Sequence, residues 1–191
     1  MKSHMRKLVL VGGVCLFAAA PALAQSPSGG AIQPHAQGQS VQSNQTPQSA
    51  PSTEHFVKTA AVANMFELQS SKLALEKKAR PDQQFAKRMI RDHTKIGDQL
   101  KHLIKSGKVK AELPTGLDGK HQQMLDQLRS ERGASFDKDY DEMQLKGHRQ
   151  AVALFESYAR DGDNPALKRW AANTLPHLQE HLALAEKLSA Q

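Results

Sequence analysis

With 191 residues, 39% of them apolar and 24% charged, the chain has material for one globular domain, and its 26 Lys and Arg against 19 Asp and Glu give a net charge of +7. The single cysteine, Cys15, lies in an N-terminal segment expected to be removed. Disulfides, iron–sulfur clusters, thiolate zinc sites and cysteine nucleophiles are therefore excluded from the mature chain, and aromatics at 5% with charges of mixed sign exclude nucleic acid as the expected partner.

Residues 1–24 carry Lys2, Arg6 and Lys7, then an apolar run from Leu8 to Ala20, then Ala22-Leu23-Ala24. This is the order of a secretory signal, with cleavage expected after Ala24 and a periplasmic or secreted product. The run is broken by Gly12 and Gly13 and is shorter than the roughly 20 residues of a spanning helix, so no transmembrane segment is expected in the mature chain. Val14 before Cys15 argues against lipid attachment. Loss of the three cations leaves 23 against the 19 acids, or +4, a field that favours solubility and weak attraction to anionic envelope surfaces. Residues 25–52, rich in Gln, Ser, Pro, Gly, Ala and Asn and free of formal charge, cannot bury enough surface to offset ordering and are expected to form a disordered polar linker.

From Thr53 onward apolar residues recur at helical spacing. The first helix is expected from an N-cap at Ser52 or Thr53 to about Ala79, with Phe56, Ala60, Ala63, Leu68, Ala74 and Leu75 on its apolar face and Arg80-Pro81-Asp82 ending it. The second runs from Asp82 to Ser106 behind Phe85, Met89, Ile96, Leu100 and Leu103, and stops at Gly107. A connection through Leu113-Pro114-Thr115-Gly116 leads to a short helix, Asp118 to Arg132, before Gly133. The third long helix spans Ser135 to Arg160. Asn164 then caps and Pro165 opens the last one, in which Pro176 should bend the axis or open one hydrogen bond. No segment alternates with period two. Two helical hairpins joined by a long connection predict an all-α domain over 53–190: a four-helix bundle with a crossover that contains a short extra helix.

A polar side chain on an apolar helical stripe is informative, because burying it without a partner costs free energy. Placed at about 100° per residue, Glu67, His93, His148 and His181 fall inside the stripes of the four long helices, with His177 at the margin of the last and Asp92 at the edge of the second. At about 1.5 Å per residue, Glu67 and His93 lie roughly 20 Å from the first hairpin turn, and the other three roughly 21 to 27 Å from the second. All four helices thus deliver an acid or an imidazole to one level. Glu67, His93, His148, His177 and His181 together offer the oxygen and nitrogen ligands of a single zinc, copper or iron ion. The alternative is a buried polar network in which the same histidines bond to Glu67, Asp141, Tyr140 or water. No Glu is followed three positions later by His, against a carboxylate-bridged di-iron centre. Hydrolase, metalloprotease, phosphate-loop and dinucleotide motifs are missing as well.

Phe56-Val57-x-x-Ala60, Leu73-Ala74-Leu75, Met89-x-x-Asp92-His93-Thr94, Leu113-Pro114, Leu117-x-x-Lys120-His121, Phe136-Asp137-x-x-Tyr140, His148 with Leu154-Phe155-Glu156, and Thr174-Leu175-Pro176-x-Leu178-x-x-His181-Leu182 occur in this order over about 70% of the chain. In these pieces the sequence resembles the bacterial domain-of-unknown-function family 4142. The resemblance implies a ferritin-like bundle in an exported protein and implies no activity or catalytic residue. Members often carry an outer-membrane label, which makes association with that membrane an expectation here, although neither a barrel pattern nor a spanning helix supports it. The functional expectation is a non-enzymatic binding or stress/envelope module. The alternative is a mononuclear metal-binding protein or metalloenzyme built on the interior Glu and His cluster. The run Lys101, Lys105, Lys108 and Lys110 reads first as a solvated helix end and second as a contact for an anionic envelope surface.

Overall fold

The computed structural model describes residues 51–79 and 83–190, all within one compact unit, Gln45–Gln191. The expected signal over 1–24, the expected linker up to residue 50, and residues 80–82, where the first helix is expected to end, lie outside the described residues. Five helices form: α1 (Thr53–Glu76), α2 (Gln83–Lys105), α3 (Gly119–Ser130), α4 (Ala134–Asp161) and α5 (Pro165–Leu188). Among the described residues there is no strand, and no helix is long and apolar enough to cross a membrane.

The helix ends follow local chemistry. Ser52 Oγ accepts from the His55 N–H at 3.3 Å, Asp118 Oδ1 from the His121 N–H at 2.8 Å, and Asn164 Oδ1 from Ala166 and Leu167 at 3.0 and 2.9 Å, each satisfying donors that a first turn leaves free. Gly107 ends the α2 region with φ 71°. Helix α1 stops at Glu76, earlier than its periodicity predicts. There Lys78 turns left-handed (φ 55°) and the Ala79 N–H closes onto the Ala74 carbonyl at 3.0 Å, a Schellman-type finish. Lys77 Nζ then reaches the carbonyls of Arg129 (2.9 Å) and Glu131 and ties the end of α3 to the end of α1. Pro176 lies exposed within a continuous α5, and the carbonyl it leaves unpaired belongs to Ala172, itself exposed.

Side-chain links give the topology. Helix α1 meets α4 through Ser71–Tyr140 and Thr53–Tyr158, α4 meets α5 through Arg149–Glu186 and Gln179–Glu156, and α5 meets α2 through Arg88–Glu180 and Trp170–Gln99. In each pair one number rises as the other falls, so these neighbours run antiparallel. With α1 also packed on α2, the four long helices close a ring in the order α1, α2, α5, α4. Helices α2 and α4 are then parallel, and the chain between them must travel the length of the ring. It does so through Val109, which is buried, and α3, which packs on α1 and α4.

Contact with three neighbours widens the buried face of α1 beyond the stripe expected of it. Val57, Ala61, Val62 and Phe66 are buried, while Ala63, Leu68 and Leu75 are only partly so. Lys101, Lys105, Lys108 and Lys110 are all exposed. The apolar core is split in two. One cluster gathers Phe56, Ile96, Phe155, Tyr158, Leu167 and Trp170, the other Phe66, Phe85, Met89, Leu128, Phe136 and Tyr140.

The first cluster is closed by a latch. Asp163 accepts from the hydroxyls of Thr53 (2.5 Å) and Tyr158 (2.8 Å), joining the start of α1 to the α4–α5 turn, while the Tyr158 ring stacks on Phe56 at 4.1 Å. Urea unfolding should find Phe56→Ala destabilising by about 3–5 kcal/mol, as for other buried aromatics. Tyr158→Phe, which keeps the ring and removes the hydroxyl, should cost about 1 kcal/mol. Equal costs for the two would mean that the latch, and not the packing, holds this end.

Candidate metal centre

Between the two apolar clusters lies a polar layer: Asn64, Glu67, Ser70 and Ser71 from α1, His93 from α2, Gln144 and His148 from α4, and Thr174 and His181 from α5. His93, His148 and His181 are 4%, 1% and 0% exposed. Their ring centroids lie 5.7, 5.3 and 5.5 Å apart, close to an equilateral triangle.

Each ring is held from outside. His93 Nδ1 lies 3.0 Å from Asn64 Oδ1, His148 Nδ1 2.9 Å from the Gln144 carbonyl, and His181 Nε2 3.0 Å from Asp92 Oδ2. All three partners are acceptors, so the nitrogen facing each of them donates. In a neutral imidazole the other nitrogen is then a bare lone pair. Those other nitrogens, His93 Nε2, His148 Nε2 and His181 Nδ1, are buried without a hydrogen-bond partner among the described residues. Burial holds His181 down to about 4, against the pull of Asp92. Burial, then the fields of His148 and His181, hold His93 well below the ordinary histidine range.

Asp92 is itself positioned. Its carboxylate accepts from Arg88 (3.3 Å) and Arg91 (3.0 Å), and Arg88 continues to Glu180 at 2.5 Å. Burial works against its charge, but the bonds from His181 and Arg91 keep it below the usual carboxylate range. On the α1 side, Glu67 is buried with Oε2 lacking a partner. Burial raises its carboxyl, opposed by His148, Gln144 and His121. Two glycines let neighbouring backbones close on this face. A Cβ at Gly97 would stand 2.7 Å from Asn64 Nδ2, and one at Gly147 3.2 Å from Glu67 Oε1.

One ligand atom from each of His93, His148 and His181 lies within 4.8 Å of the other two. Nitrogens bound to one tetrahedral ion at about 2.0 Å stand roughly 3.3 Å apart, so side-chain rotation of about an ångström would bring the three into a coordination shell. Three imidazole nitrogens suit zinc, copper or iron. Glu67 faces the same layer but is not one of this group of three. His177 is exposed and not brought to the layer. The buried arc of α5 runs through Thr174, Leu178, His181 and Ala185 in steps of three and four, and position 177 falls one residue outside it. Asn64, Gly97 and Gly147 carried no expectation. Asn64, three residues before Glu67, shares its face, whereas a glycine's close approach depends on what stands opposite.

The family model described as Domain of unknown function (DUF4142) matches residues 38–188. The chain belongs to that family. The DUF4142 match spans all five helices and includes every residue of the polar layer. Neither a curated protein nor a solved structure matches the chain.

The metal-free layer should be acid-sensitive. Unfolded histidines take up protons near 6.5, whereas folded His181 does so only near 4, so its contribution is present above 6.5 and lost as pH falls. The ceiling for this one ring is about 3 kcal/mol, and His93 acts in the same direction. Glu67 opposes them, because its raised carboxyl binds a proton more tightly in the folded state. With two groups against one, the melting temperature of chelator-treated protein should fall steadily between pH 6.5 and 4.5. A rise over that interval would show that Glu67 outweighs the histidines.

Proposed function

We propose that this is an exported, periplasmic protein whose ferritin-like four-helix bundle binds a single transition-metal ion on His93, His148 and His181, serving as a binding module and not as an enzyme. The observation that carries the reading is the set of three rings that each face an outer acceptor with one nitrogen and bury the other without a partner, with one nitrogen of each ring within 4.8 Å of the other two. A network meant only to fix helix register would use both nitrogens of each ring. The acceptor behind each ring matches the outer partners that orient metal-binding histidines elsewhere. Glu67 is the charge partner: a dication beside it would favour the ionised carboxylate that burial now disfavours. The antiparallel ring with a full-length connection between the parallel α2 and α4 supports the ferritin-like reading. The order of residues in 1–24 supports export.

Protein purified without chelator and titrated in turn with Zn²⁺, Cu²⁺ and Fe²⁺ should take up one equivalent of at least one of these, read by elemental analysis after desalting. His148→Ala should lose it. Asp92→Asn should keep the stoichiometry and weaken affinity about 10–100-fold, as loss of an outer partner does. Less than about a tenth of an equivalent of every metal, or uptake indifferent to His148→Ala, would remove the proposal. Separately, the secreted chain should begin at Gln25 by mass spectrometry, and a full-length chain recovered from the periplasm would refute the assigned cleavage.

A further inference from the structure

The polar layer is also the floor of a larger space. A cleft of about 670 Å³ reaches Glu67, His93 and His148 and is bounded by residues of all five helices. Its walls are apolar, with Phe66 from α1, Met124 from α3, and Met143 and Leu154 from α4. Volumes of about 300–1,000 Å³ with such walls are those of small-molecule sites, and methionine adapts to the shape of what it meets.

The exposed edge of the cleft carries Lys120 and Lys146. Neither forms an ion pair among the described residues. Glu142, one turn before Lys146, is engaged by Lys138 at 2.8 Å. Asp118, which Lys120 feels from a distance, is taken by the backbone and ring of His121 at 2.8 and 2.7 Å. Glu67, at the floor, is the only carboxylate among the described residues that line the space. Charge thus runs from two uncommitted cations at the edge, through apolar walls, to an acid at the bottom.

This layout selects its occupant. An inorganic anion would leave the walls unused, a cation would be repelled at the edge, and a neutral hydrocarbon would gain nothing from the lysines. We propose that the cleft binds a free, single-chain aliphatic carboxylate of medium length, its chain between Met124 and Met143 and its carboxylate at Lys120 and Lys146. The carboxylate seat and the chain contacts fall on side chains other than the His93 and His148 rings at the floor, and binding does not require a metal.

Calorimetric titration of the intact mature protein, before and after chelation, with hexanoate, octanoate, decanoate and 1-octanol tests this. Affinity should rise about fourfold per added methylene, the equivalent of burying one CH₂ group. Octanoate should bind at least tenfold more tightly than 1-octanol. A Lys120→Glu, Lys146→Glu double variant, altered only at exposed positions and checked for fold by circular dichroism, should lose that advantage while binding 1-octanol as before. Four outcomes would overturn the proposal: no octanoate binding, equal binding of octanoate and 1-octanol, affinity independent of chain length, or binding abolished by chelation. The last would place the carboxylate on a metal at the floor and not at the lysines. Because chelated protein is included, a failure of the metal reading leaves this result interpretable on its own.

Discussion

A buried neutral imidazole that donates one proton to an outer acceptor keeps a bare lone pair on its other nitrogen, and in this protein three such rings stand side by side. A buried polar atom without a partner costs about 1–3 kcal/mol, against a net stability of about 5–15 kcal/mol for a whole domain. Three such nitrogens, with Glu67 Oε2 and Gln144 Oε1 in the same layer, are a heavy load at the centre of an all-helical domain. The rest of the architecture is arranged around it. Apolar packing is divided into clusters above and below the layer, and aromatic side chains close each of them. A ligand shared by the three lone pairs would convert the layer from the weakest level of the core into a link among α2, α4 and α5.

The layer depends on close helix approach. Helix α1 brings no histidine to it but supplies the acceptor for His93 and the carboxylate beside His148, and both must reach across to neighbouring helices. Glycine at 97 on α2 and at 147 on α4 removes the side chains that would keep those backbones away. Asp92 does the corresponding work for His181 from the half-exposed margin of α2, where two arginines orient it and the bonds from His181 and Arg91 keep it ionised. The structure therefore spends small residues and surface charge on aiming rings, a use that packing alone would not call for.

Much of this was legible in the sequence, for identifiable reasons. Helix ends were readable where a side chain or a glycine sets them, as at Ser52, Asp118, Asn164 and Gly107. The end of α1 was not, because Lys78 takes a left-handed conformation that its side chain does not advertise. Helical phase placed Glu67, His93, His148 and His181 inward, and all four are buried. Phase is blind at the margins: His177 differs from His181 by only about 40° around the helix, yet one is exposed and the other fully buried. The buried width of α1 depends on α3, which reaches it only through the crossover, and no local pattern encodes a neighbour so distant in the chain. The same holds for the cleft that α3 helps to wall.

The electrostatics of the layer favour one ion over two. A pair of metals needs bridging carboxylates to screen the repulsion between them, and the chain lacks the Glu-x-x-His pairs that supply such bridges. Glu67 is the one buried acid in the layer among the described residues, and burial raises its carboxyl against the opposing pull of His148 and Gln144. His93 and His181 are already neutral at pH 7, so a cation arriving there need not displace their protons. Glu67 is the acid of the layer whose ionised form a bound cation would favour, against the burial that raises its carboxyl. One dication held by imidazole lone pairs and one carboxylate leaves a single net positive charge in a medium of low dielectric. A second dication without a second acid would raise that charge to three, a load that the one interior carboxylate among the described residues of the layer cannot balance.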